Sequence, residues 1–269
     1  MIFSRESGSE NADMGAPGPD GKVAVVAGGA TGLGAATAVR LGAQGWRVVV
    51  GDLRETDAAG TSEKIAAAGG VALAVAFDLA DPVSVAGLFE QAIRRFGGVD
   101  ALFNVGADMR TLRHDTDVVD IDLEIWDRVM TVSLRGYLST MKHAIPLMVG
   151  RGGGAIVNMS SAAAFQGEPT RPAYAASKAG IGALTRHVAT RWGREGVRCN
   201  AVAPGFTATE AIRSAPQWPD LEKAALGRMH SPRVGEPADI AAAVAFLLSD
   251  DGAWINGQVI NIDGGTILR

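Results

Sequence analysis

The chain has 269 residues, of which 47% are hydrophobic, and it carries a formal net charge of −4. This acidic balance without a concentrated basic stretch argues against a nucleic-acid partner, and no apolar stretch reaches the length of a membrane span. The single cysteine, Cys199, excludes an internal disulfide and fits a cytoplasmic location, while the four scattered histidines lack zinc-like spacing and predict no metal site.

Residues 1–20 differ in composition from the rest of the chain. They are polar, rich in Gly, Ser, Pro and acidic residues, and lack the apolar core of a signal peptide. We therefore predict a disordered leader at residues 1–20 and one folded domain at residues 21–269.

Strand-like and helix-like segments alternate through the folded domain. Strands are predicted at residues 22–27, 46–51, 71–77, 99–105, 153–159, 196–202 and 256–262, and helices at residues 32–44, 57–68, 82–96, 121–148, 174–193, 207–229 and 237–249. Such alternation indicates right-handed βαβ units. The fold class we predict is α/β: a single-domain, doubly wound Rossmann fold with a seven-stranded parallel sheet and helices on both faces.

The first predicted strand ends in a glycine-rich turn that runs into an alanine-rich helix. Gly28, Gly32 and Gly34, with Thr31 and Leu33 between them, form this turn. Glycines at a strand-to-helix turn let the backbone approach a pyrophosphate, and the helix start offers free N–H groups and a partial positive charge. We predict a dinucleotide site here; a flexible glycine turn without a ligand is the alternative, which the flanking strand and helix disfavour.

The second predicted strand leads into Asp52, which lies 18 residues after Gly34 and is followed by Leu53. An acidic residue at about this distance accepts hydrogen bonds from the adenosine ribose of a bound dinucleotide. Its charge would also face the 2′-phosphate of NADP, so we predict NAD as the cofactor. Arg54 lies close enough to soften that preference, and a solvated loop carboxylate is the alternative interpretation of Asp52.

Tyr174 and Lys178 are four residues apart in a predicted helix, so their side chains share one face. A free tyrosine has a pKa of about 10, and a nearby ammonium favours the phenolate and lowers that pKa. Charges about 4 Å apart at an effective dielectric near 20 interact by about 4 kcal/mol, enough to lower the pKa to near neutrality. The pair therefore predicts a general acid/base, although an exposed polar helix face explains most instances of this spacing.

Together these motifs resemble the short-chain dehydrogenase/reductase family, in its shorter branch with a Gly-x-x-x-Gly-x-Gly turn and a Tyr-x-x-x-Lys pair. The resemblance covers residues 20–267 and implies that Ser161, 13 residues before Tyr174, is the catalytic serine that positions the substrate oxygen. Ser160 is the rival for this role, but its side chain should face the opposite side of the strand. The resemblance also implies that Lys178 holds the nicotinamide ribose.

The same resemblance implies further cofactor contacts at the ends of other predicted strands. Asp78 and Leu79 match the segment that meets the adenine, and Asn104, Val105 and Gly106 stand in for the family's Asn-Asn-Ala segment. The segment that packs against the nicotinamide carboxamide corresponds to Pro204, Gly205, Phe206, Thr207 and Thr209. The C-terminal signature of the family corresponds to Asp263, Gly264 and Gly265.

Ser133 is a departure from the family pattern. It occupies a position in the predicted helix 121–148 where the family usually has an asparagine, whose backbone carbonyl holds a water in the proton path from the lysine. A backbone carbonyl does not depend on the side chain, so we hypothesise that Ser133 is a working substitute. Alternatively, Ser133 could bend the helix differently or slow proton exchange.

The predicted function is interconversion of a secondary alcohol and a ketone with NAD, with Tyr174 as the general acid/base. The predicted substrate contacts are Ser161, Phe165, Gln166, Tyr174, Phe206 and Trp218, and the apolar stretch at residues 206–230 predicts a mobile lid for a bulky, cyclic or steroid-like alcohol. A reductase of acyl groups on acyl carrier protein and a non-catalytic NAD sensor are the alternatives. The family resemblance implies a homotetramer or homodimer.

Overall fold

Seven parallel strands form one sheet in the computed structural model, which describes residues 21–268. The strand order is β3-β2-β1-β4-β5-β6-β7. The strands are β1 (Val23–Ala27), β2 (Arg47–Asp52), β3 (Val71–Ala76), β4 (Ala101–Asn104), β5 (Gly154–Met159), β6 (Val197–Pro204) and β7 (Val259–Ile262). The predicted fold class is confirmed, while the predicted leader at residues 1–20 lies outside the described residues.

Helices connect the strands and pack on both faces of the sheet. They are α1 (Gly32–Ala43), α2 (Glu55–Ala67), α3 (Pro82–Phe96), α4 (Leu123–Met130), α5 (Gly136–Gly150), α6 (Pro172–Trp192), α7 (Glu210–Arg213), α8 (Trp218–Leu226) and α9 (Pro237–Leu248). Helix α1 packs against α2 and α9, whereas α3 packs against α5, so two separate groups of helices cover the sheet. No helix within residues 21–268 is long and apolar enough to cross a membrane.

The central strands β1 and β4 are buried throughout because helices cover both of their faces. All five residues of β1 are buried, and β4 is buried along its whole length. This burial explains why β1 reads as a continuous run of Val and Ala rather than as an alternating pattern.

The strand order reverses direction between β1 and β4, which places a crevice at their carboxyl ends. The register pairs Ala27 at the end of β1 with Asn104 at the end of β4, and Asn104 with Asn158 in β5. The segments that follow these three strands therefore meet at one edge of the sheet. They contain the glycine turn, residues 105–106 and Ser161.

Two predicted helices were wrong as single elements. The predicted helix 121–148 is interrupted by a π-helical turn at Thr131–Arg135, where the N–H of Gly136 donates to the carbonyl of Thr131. The predicted helix 207–229 is instead the two short helices α7 and α8, separated by a turn that contains Pro216. Proline has no backbone N–H and cannot continue a helix from the preceding turn, which accounts for this break.

Candidate active site

Ser161, Tyr174 and Lys178 come together where β5 ends beside α6. The hydroxyl of Tyr174 is hydrogen-bonded to the side chain of Ser161. The ammonium of Lys178 lies 5.6 Å from the ring centre of Tyr174, and it donates to the carbonyl of Met159 at 2.8 Å. The structure therefore places the three predicted residues in one cluster.

Ser160 points to a different partner. Its hydroxyl is buried and donates to the backbone carbonyl of Lys178 at 2.9 Å. This bond fastens the second turn of α6 to the end of β5. Of the two serines, only Ser161 has a hydrogen bond to Tyr174.

Burial dominates the electrostatics of Tyr174. Desolvation raises the pKa of its phenol above the ordinary value, while the hydrogen bond with Ser161 and the charge of Arg171 lower it and the charge of Glu168 raises it again. Arg171 and Glu168 themselves form an ion pair. The sequence-based expectation that Lys178 lowers this pKa is therefore not met by the protein groups alone, because desolvation of the phenolate outweighs the favourable charges.

Lys178 is itself strongly desolvated. It is 2% exposed, and burial lowers the pKa of its ammonium from the ordinary 10.5 to about 7. Its ammonium lies 5.3 Å from the ring centre of Tyr137 and 5.6 Å from that of Tyr174, so it is enclosed by two phenol rings. Within residues 21–268 it forms no ion pair with a carboxylate, so its positive charge is buried without a compensating negative charge.

Tyr137 is a site residue that the sequence analysis missed. It is fully buried in α5, its hydroxyl has no hydrogen-bond partner among the described residues, and burial raises the pKa of this phenol well above its ordinary value. The charge of Tyr174 adds to that rise. The sequence did contain a signal for Tyr137. It lies four residues after Ser133, in the same predicted helix 121–148, so the two side chains share one helix face.

Ser133 lies in the π-helical turn and is 3% exposed. This turn packs against α6, the helix that carries Tyr174 and Lys178. A π-helical turn changes the carbonyl pairing of a helix locally and occurs frequently at functional sites. The helix thus departs from regular α geometry at Ser133, while the role of its carbonyl remains a prediction.

Close backbone packing requires glycine at two positions of the glycine turn. A Cβ atom at Gly28 would lie 2.4 Å from the amide nitrogen of Gly106, and one at Gly34 would lie 2.0 Å from the carbonyl oxygen of Gly28. Gly28 also has a φ of 106°, which L side chains rarely adopt. No side chain within residues 21–268 caps the start of α1 at Thr31, so this helix start suits an anionic group such as a pyrophosphate.

Asp52 lies directly beside this turn. One of its carboxylate oxygens accepts a hydrogen bond from the N–H of Ala30 at 3.1 Å, and the other accepts from the N–H of Arg54 at 3.3 Å. The guanidinium of Arg54 is paired with Asp57 at 2.9 Å. The neighbouring Leu53 is 56% exposed.

The side chain of Asn104 is committed to the protein interior. It is fully buried, donates to the side chain of Asn158 at 2.9 Å and accepts from the hydroxyl of Thr140 at 2.7 Å. This network ties β4 to β5 and α5. The predicted cofactor contact at Asn104 can therefore come only from its backbone, and the side chain acts as a structural bridge.

Residues 78–79 and 105–106 flank the same crevice. The carboxylate of Asp78 accepts from the N–H of Ala80 at 2.8 Å, and the side chain of Leu79 is 8% exposed. A Cβ at Gly106 would lie 2.6 Å from Leu79, so these two segments pack closely. Val105 is half-buried, and its N–H donates to the carbonyl of Ala27 at 3.0 Å.

The segment after β6 approaches the glycine turn from the other side. Pro204 ends β6, and a Cβ at Gly205 would lie 2.7 Å from Asp263 of the C-terminal signature. The hydroxyl of Thr207 donates to the carbonyl of Gly205 at 3.2 Å. A Cβ at Gly32 would lie 3.4 Å from the methyl group of Thr209, so this segment reaches the predicted pyrophosphate site.

Aromatic side chains dominate the predicted substrate region. The rings of Phe206 and Trp218 are stacked with centres 6.4 Å apart and belong to a small apolar cluster separate from the main core. Phe165 is 40% exposed and Gln166 is half-buried, both on the segment after Ser161. No group of His, Cys, Asp and Glu side chains within residues 21–268 has the arrangement of a metal site.

A Rossmann sheet with a glycine turn, an acidic residue at the end of β2 and a Ser-Tyr-Lys cluster at the carboxyl edge defines a dinucleotide-binding protein of the oxidoreductase type. The profile of a family described as Enoyl-(Acyl carrier protein) reductase matches residues 28–266. The chain belongs to the short-chain dehydrogenase/reductase family, a family of oxidoreductases.

Relatives and a solved neighbour match this chain over more than nine-tenths of its length. A probable short-chain type dehydrogenase/reductase of Bradyrhizobium diazoefficiens is 47% identical, over 93% of this chain and 89% of the relative. Cis-4-hydroxycyclohexanecarboxylate dehydrogenase of Sinomonas cyclohexanicum is 38% identical over 91% and 96%. A 7α-hydroxysteroid dehydrogenase solved with NADH and 7-oxo glycochenodeoxycholic acid superposes with a TM-score of 0.85 at 29% identity, covering 93% of this chain and 96% of the neighbour.

Proposed function

We propose that this protein is an NAD(H)-dependent oxidoreductase that interconverts a secondary alcohol and a ketone, with Tyr174 as the general acid/base. The observation that carries the proposal is the hydrogen bond between Tyr174 and Ser161, with the Lys178 ammonium 5.6 Å from the tyrosine ring. A bound nicotinamide supplies the hydride acceptor or donor. In alcohol oxidation Tyr174 takes the hydroxyl proton, and in ketone reduction it returns one.

Ser161 and Lys178 have separate tasks in this proposal. The hydroxyl of Ser161 holds the substrate oxygen next to the phenol of Tyr174. Lys178 is a buried cation that pairs with no carboxylate among residues 21–268, and a phenolate beside it would relieve part of its desolvation cost. The two groups therefore titrate as a coupled pair, in which ionisation of Tyr174 favours the charged form of Lys178 and the reverse.

The proposed preference for NAD rests on the carboxylate of Asp52 and on the ion pair that Arg54 forms. The carboxylate of Asp52 is fixed beside the glycine turn by two backbone N–H groups, where it would repel a 2′-phosphate. The guanidinium of Arg54, which would neutralise such a phosphate, is paired with the carboxylate of Asp57. A solved neighbour of this fold was also obtained with NADH.

The substrate class we propose is a cyclic or steroid-like secondary alcohol. The names of two of the proteins above state that they act on a hydroxyl carried by a ring. One substrate is a substituted cyclohexane and the other is a steroid. The stacked rings of Phe206 and Trp218 offer an apolar wall of the kind such a ring would contact. Residues 206–230, which carry both rings, are the proposed lid.

Reduction of an acyl group on acyl carrier protein is the second candidate, favoured by the description of the matching family profile. A panel of cyclic alcohols, steroid alcohols and a 3-oxoacyl thioester, assayed with each of the two nicotinamide cofactors, separates the candidates by the absorbance of the reduced cofactor. Turnover of cyclic alcohols with NAD⁺ supports the proposal. Turnover of the thioester alone with NADPH would replace it with the second candidate, and NAD binding without any turnover would favour a sensor.

We also propose a homodimer or homotetramer, located in the cytoplasm, in which copies meet through the outer faces of α4, α5 and α6. A groove of about 410 Å³ lies there, lined by Asp127, Met130, Thr131, Leu134, Arg135, Leu138, Gly180 and Leu184. Leu138 is 50% exposed, and the opposite charges of Asp127 and Arg135 at one groove allow self-complementary pairing. Sedimentation of the purified protein tests this assembly, and a monomer at micromolar concentration would contradict it.

A further inference from the structure

A buried carboxylate, that of Asp115, holds the first turn of the helix that carries Tyr174. Asp115 is 1% exposed, and its two oxygens accept from the backbone N–H groups of Ala173 at 3.2 Å and Tyr174 at 2.8 Å. We propose that Asp115 is a positioning residue that fixes the phenol of Tyr174 relative to Ser161 and Lys178. The inference rests on the proposed function, because it assigns Asp115 a part in that reaction.

The start of α6 has no local cap. Arg171, at the N-cap position, has a left-handed backbone with a φ of 69°, and its side chain makes no capping hydrogen bond. Pro172 has no N–H, and the first hydrogen bond within the helix runs from the N–H of Ala175 to the carbonyl of Arg171 at 3.0 Å. Helices usually receive their cap from the residue that precedes them, so the beginning of α6 depends on a distant partner.

That partner is the backbone and side chain of residues 115–116. The N–H of Arg171 donates to the carbonyls of Asp115 and Thr116 at 2.9 and 2.8 Å, and the next two N–H groups donate to the Asp115 carboxylate. Residues 115–116 thus accept from the three N–H groups at the start of α6, those of Arg171, Ala173 and Tyr174, that precede the first hydrogen bond within the helix. The two N–H groups reach different oxygens of the carboxylate, so in an asparagine one of them would face an NH2 group, which cannot accept a hydrogen bond.

The segment that presents Asp115 is itself held in place by contacts of the residues that precede Asp115. The carboxylate of Asp108 accepts from both ends of the Arg110 guanidinium at 2.8 Å and from Arg128 of α4 at 3.1 Å. The hydrogen bond from Arg110 is the main reason that the pKa of Asp108 falls to about 2, so this clamp stays charged at neutral pH. The N–H of Asp115 donates to the carbonyl of Thr111 at 3.0 Å within the same segment.

Helix α6 is held in place at two points near the candidate active site. Its second turn is fastened to β5 through Lys178, which donates to Met159 and accepts from Ser160. Its first turn, which carries Tyr174, has Asp115 in the equivalent role. Loss of that carboxylate frees the first turn to fray, and a displacement of about 1 Å at a reacting group can cost about a hundredfold in rate.

The test replaces Asp115 with asparagine and uses Asp117→Asn as the matched control. Asp117 is an exposed acid of the same segment whose carboxylate caps its own turn through the N–H groups of Val119 and Asp120. For Asp115→Asn we expect kcat to fall by about tenfold to a hundredfold with the NAD dissociation constant within about twofold of wild type. Asp117→Asn should leave both unchanged, and Asp115→Glu, which restores a carboxylate, should recover part of kcat.

A second readout needs no turnover. The chain has two tyrosines, so carbon-13 labelling of tyrosine gives two phenol signals by NMR, and Tyr137→Phe identifies them. Because burial is the main cause of the raised Tyr174 pKa, fraying in Asp115→Asn should admit water and lower that pKa. Asp117→Asn should leave it in place.

Two results would overturn the inference. One is a wild-type kcat and an unchanged Tyr174 pKa in Asp115→Asn. The other is a parallel loss of kcat, NAD affinity and melting temperature with an unchanged Tyr174 pKa, which would make Asp115 a purely structural cap. If the wild-type protein oxidises no alcohol at all, the proposed function fails, whereas the Tyr174 titration still decides whether Asp115 positions the phenol.

Discussion

Replacement of Lys178 by methionine should change how the stability of this protein depends on pH. Burial lowers the pKa of Lys178 from 10.5 to about 7, a difference that corresponds to roughly 5 kcal/mol of desolvation cost. Methionine keeps most of the length of the side chain but has no charge to desolvate. The hydrogen bond that it cannot donate to Met159 is lost equally at every pH, so it cancels when two pH values are compared.

The number of protons bound in the folded and in the unfolded state sets the direction in which stability changes with pH. The folded protein releases the Lys178 proton from about pH 7, whereas the unfolded chain keeps its proton up to about 10.5, so between these values the unfolded state binds more protons. Stability therefore rises with pH in this window, and the desolvation cost is fully present below it. From pH 7 to pH 9 this one group contributes about 2 kcal/mol. Above pH 9 the buried thiol of Cys199, whose pKa burial raises to about 12, acts in the opposite direction.

Equilibrium unfolding in urea at pH 7 and pH 9 measures this effect. The protein concentration is held fixed and no dinucleotide is added, because binding and assembly both shift apparent stability. Wild type should gain about 2 kcal/mol more than Lys178→Met over this range. Lys64→Met, which removes an exposed lysine of α2, is the matched control for the loss of one positive charge. Identical pH dependence in wild type and Lys178→Met would show that the ammonium is not desolvated and would refute the charge pairing proposed for Tyr174.

Two further substitutions test the cofactor and substrate assignments. Asp52→Ser removes the carboxylate beside the glycine turn. The ratio of kcat/KM for NADP⁺ to kcat/KM for NAD⁺ should therefore rise by at least about tenfold. An unchanged ratio would contradict the assignment of the NAD preference to Asp52. Trp218→Ala removes one ring of the stack with Phe206, so the KM for a cyclic alcohol should rise by about tenfold while the NAD dissociation constant stays within about twofold. An unchanged KM would place the substrate elsewhere.

The order of strands and helices was predictable because it depends on local patterns. The continuous apolar run of β1 is typical of a strand covered on both faces, and the glycine turn after it allows few other structures. The pairing of Tyr174 with Lys178 followed from helical spacing alone. These inferences needed only distances of a few residues along the chain.

Features that depend on distant residues were not predictable in this way. Burial, which outweighs nearby charges at Tyr174, is a property of the folded protein. The cap that Asp115 provides to α6 joins residues 58 and 59 positions apart. The side chain of Asn104 could be assigned to the interior only once its partners in β5 and α5 were known.

Local irregularities formed a third group. The π-helical turn at Thr131–Arg135 lies within a sequence whose helical pattern continues across it, so its periodicity alone gives no warning. The break between α7 and α8 did have a local signal in Pro216. Greater weight on that proline would have predicted two helices instead of one.

Turnover by Tyr174→Phe tests most directly whether this phenol moves the proton. The substitution removes only the hydroxyl that bonds to Ser161, and the aromatic ring beside Lys178 remains. With an alcohol that the wild-type protein oxidises, kcat should fall by about a hundredfold to ten-thousandfold while NAD still binds. Oxidation at the wild-type rate by Tyr174→Phe would contradict the proposed mechanism.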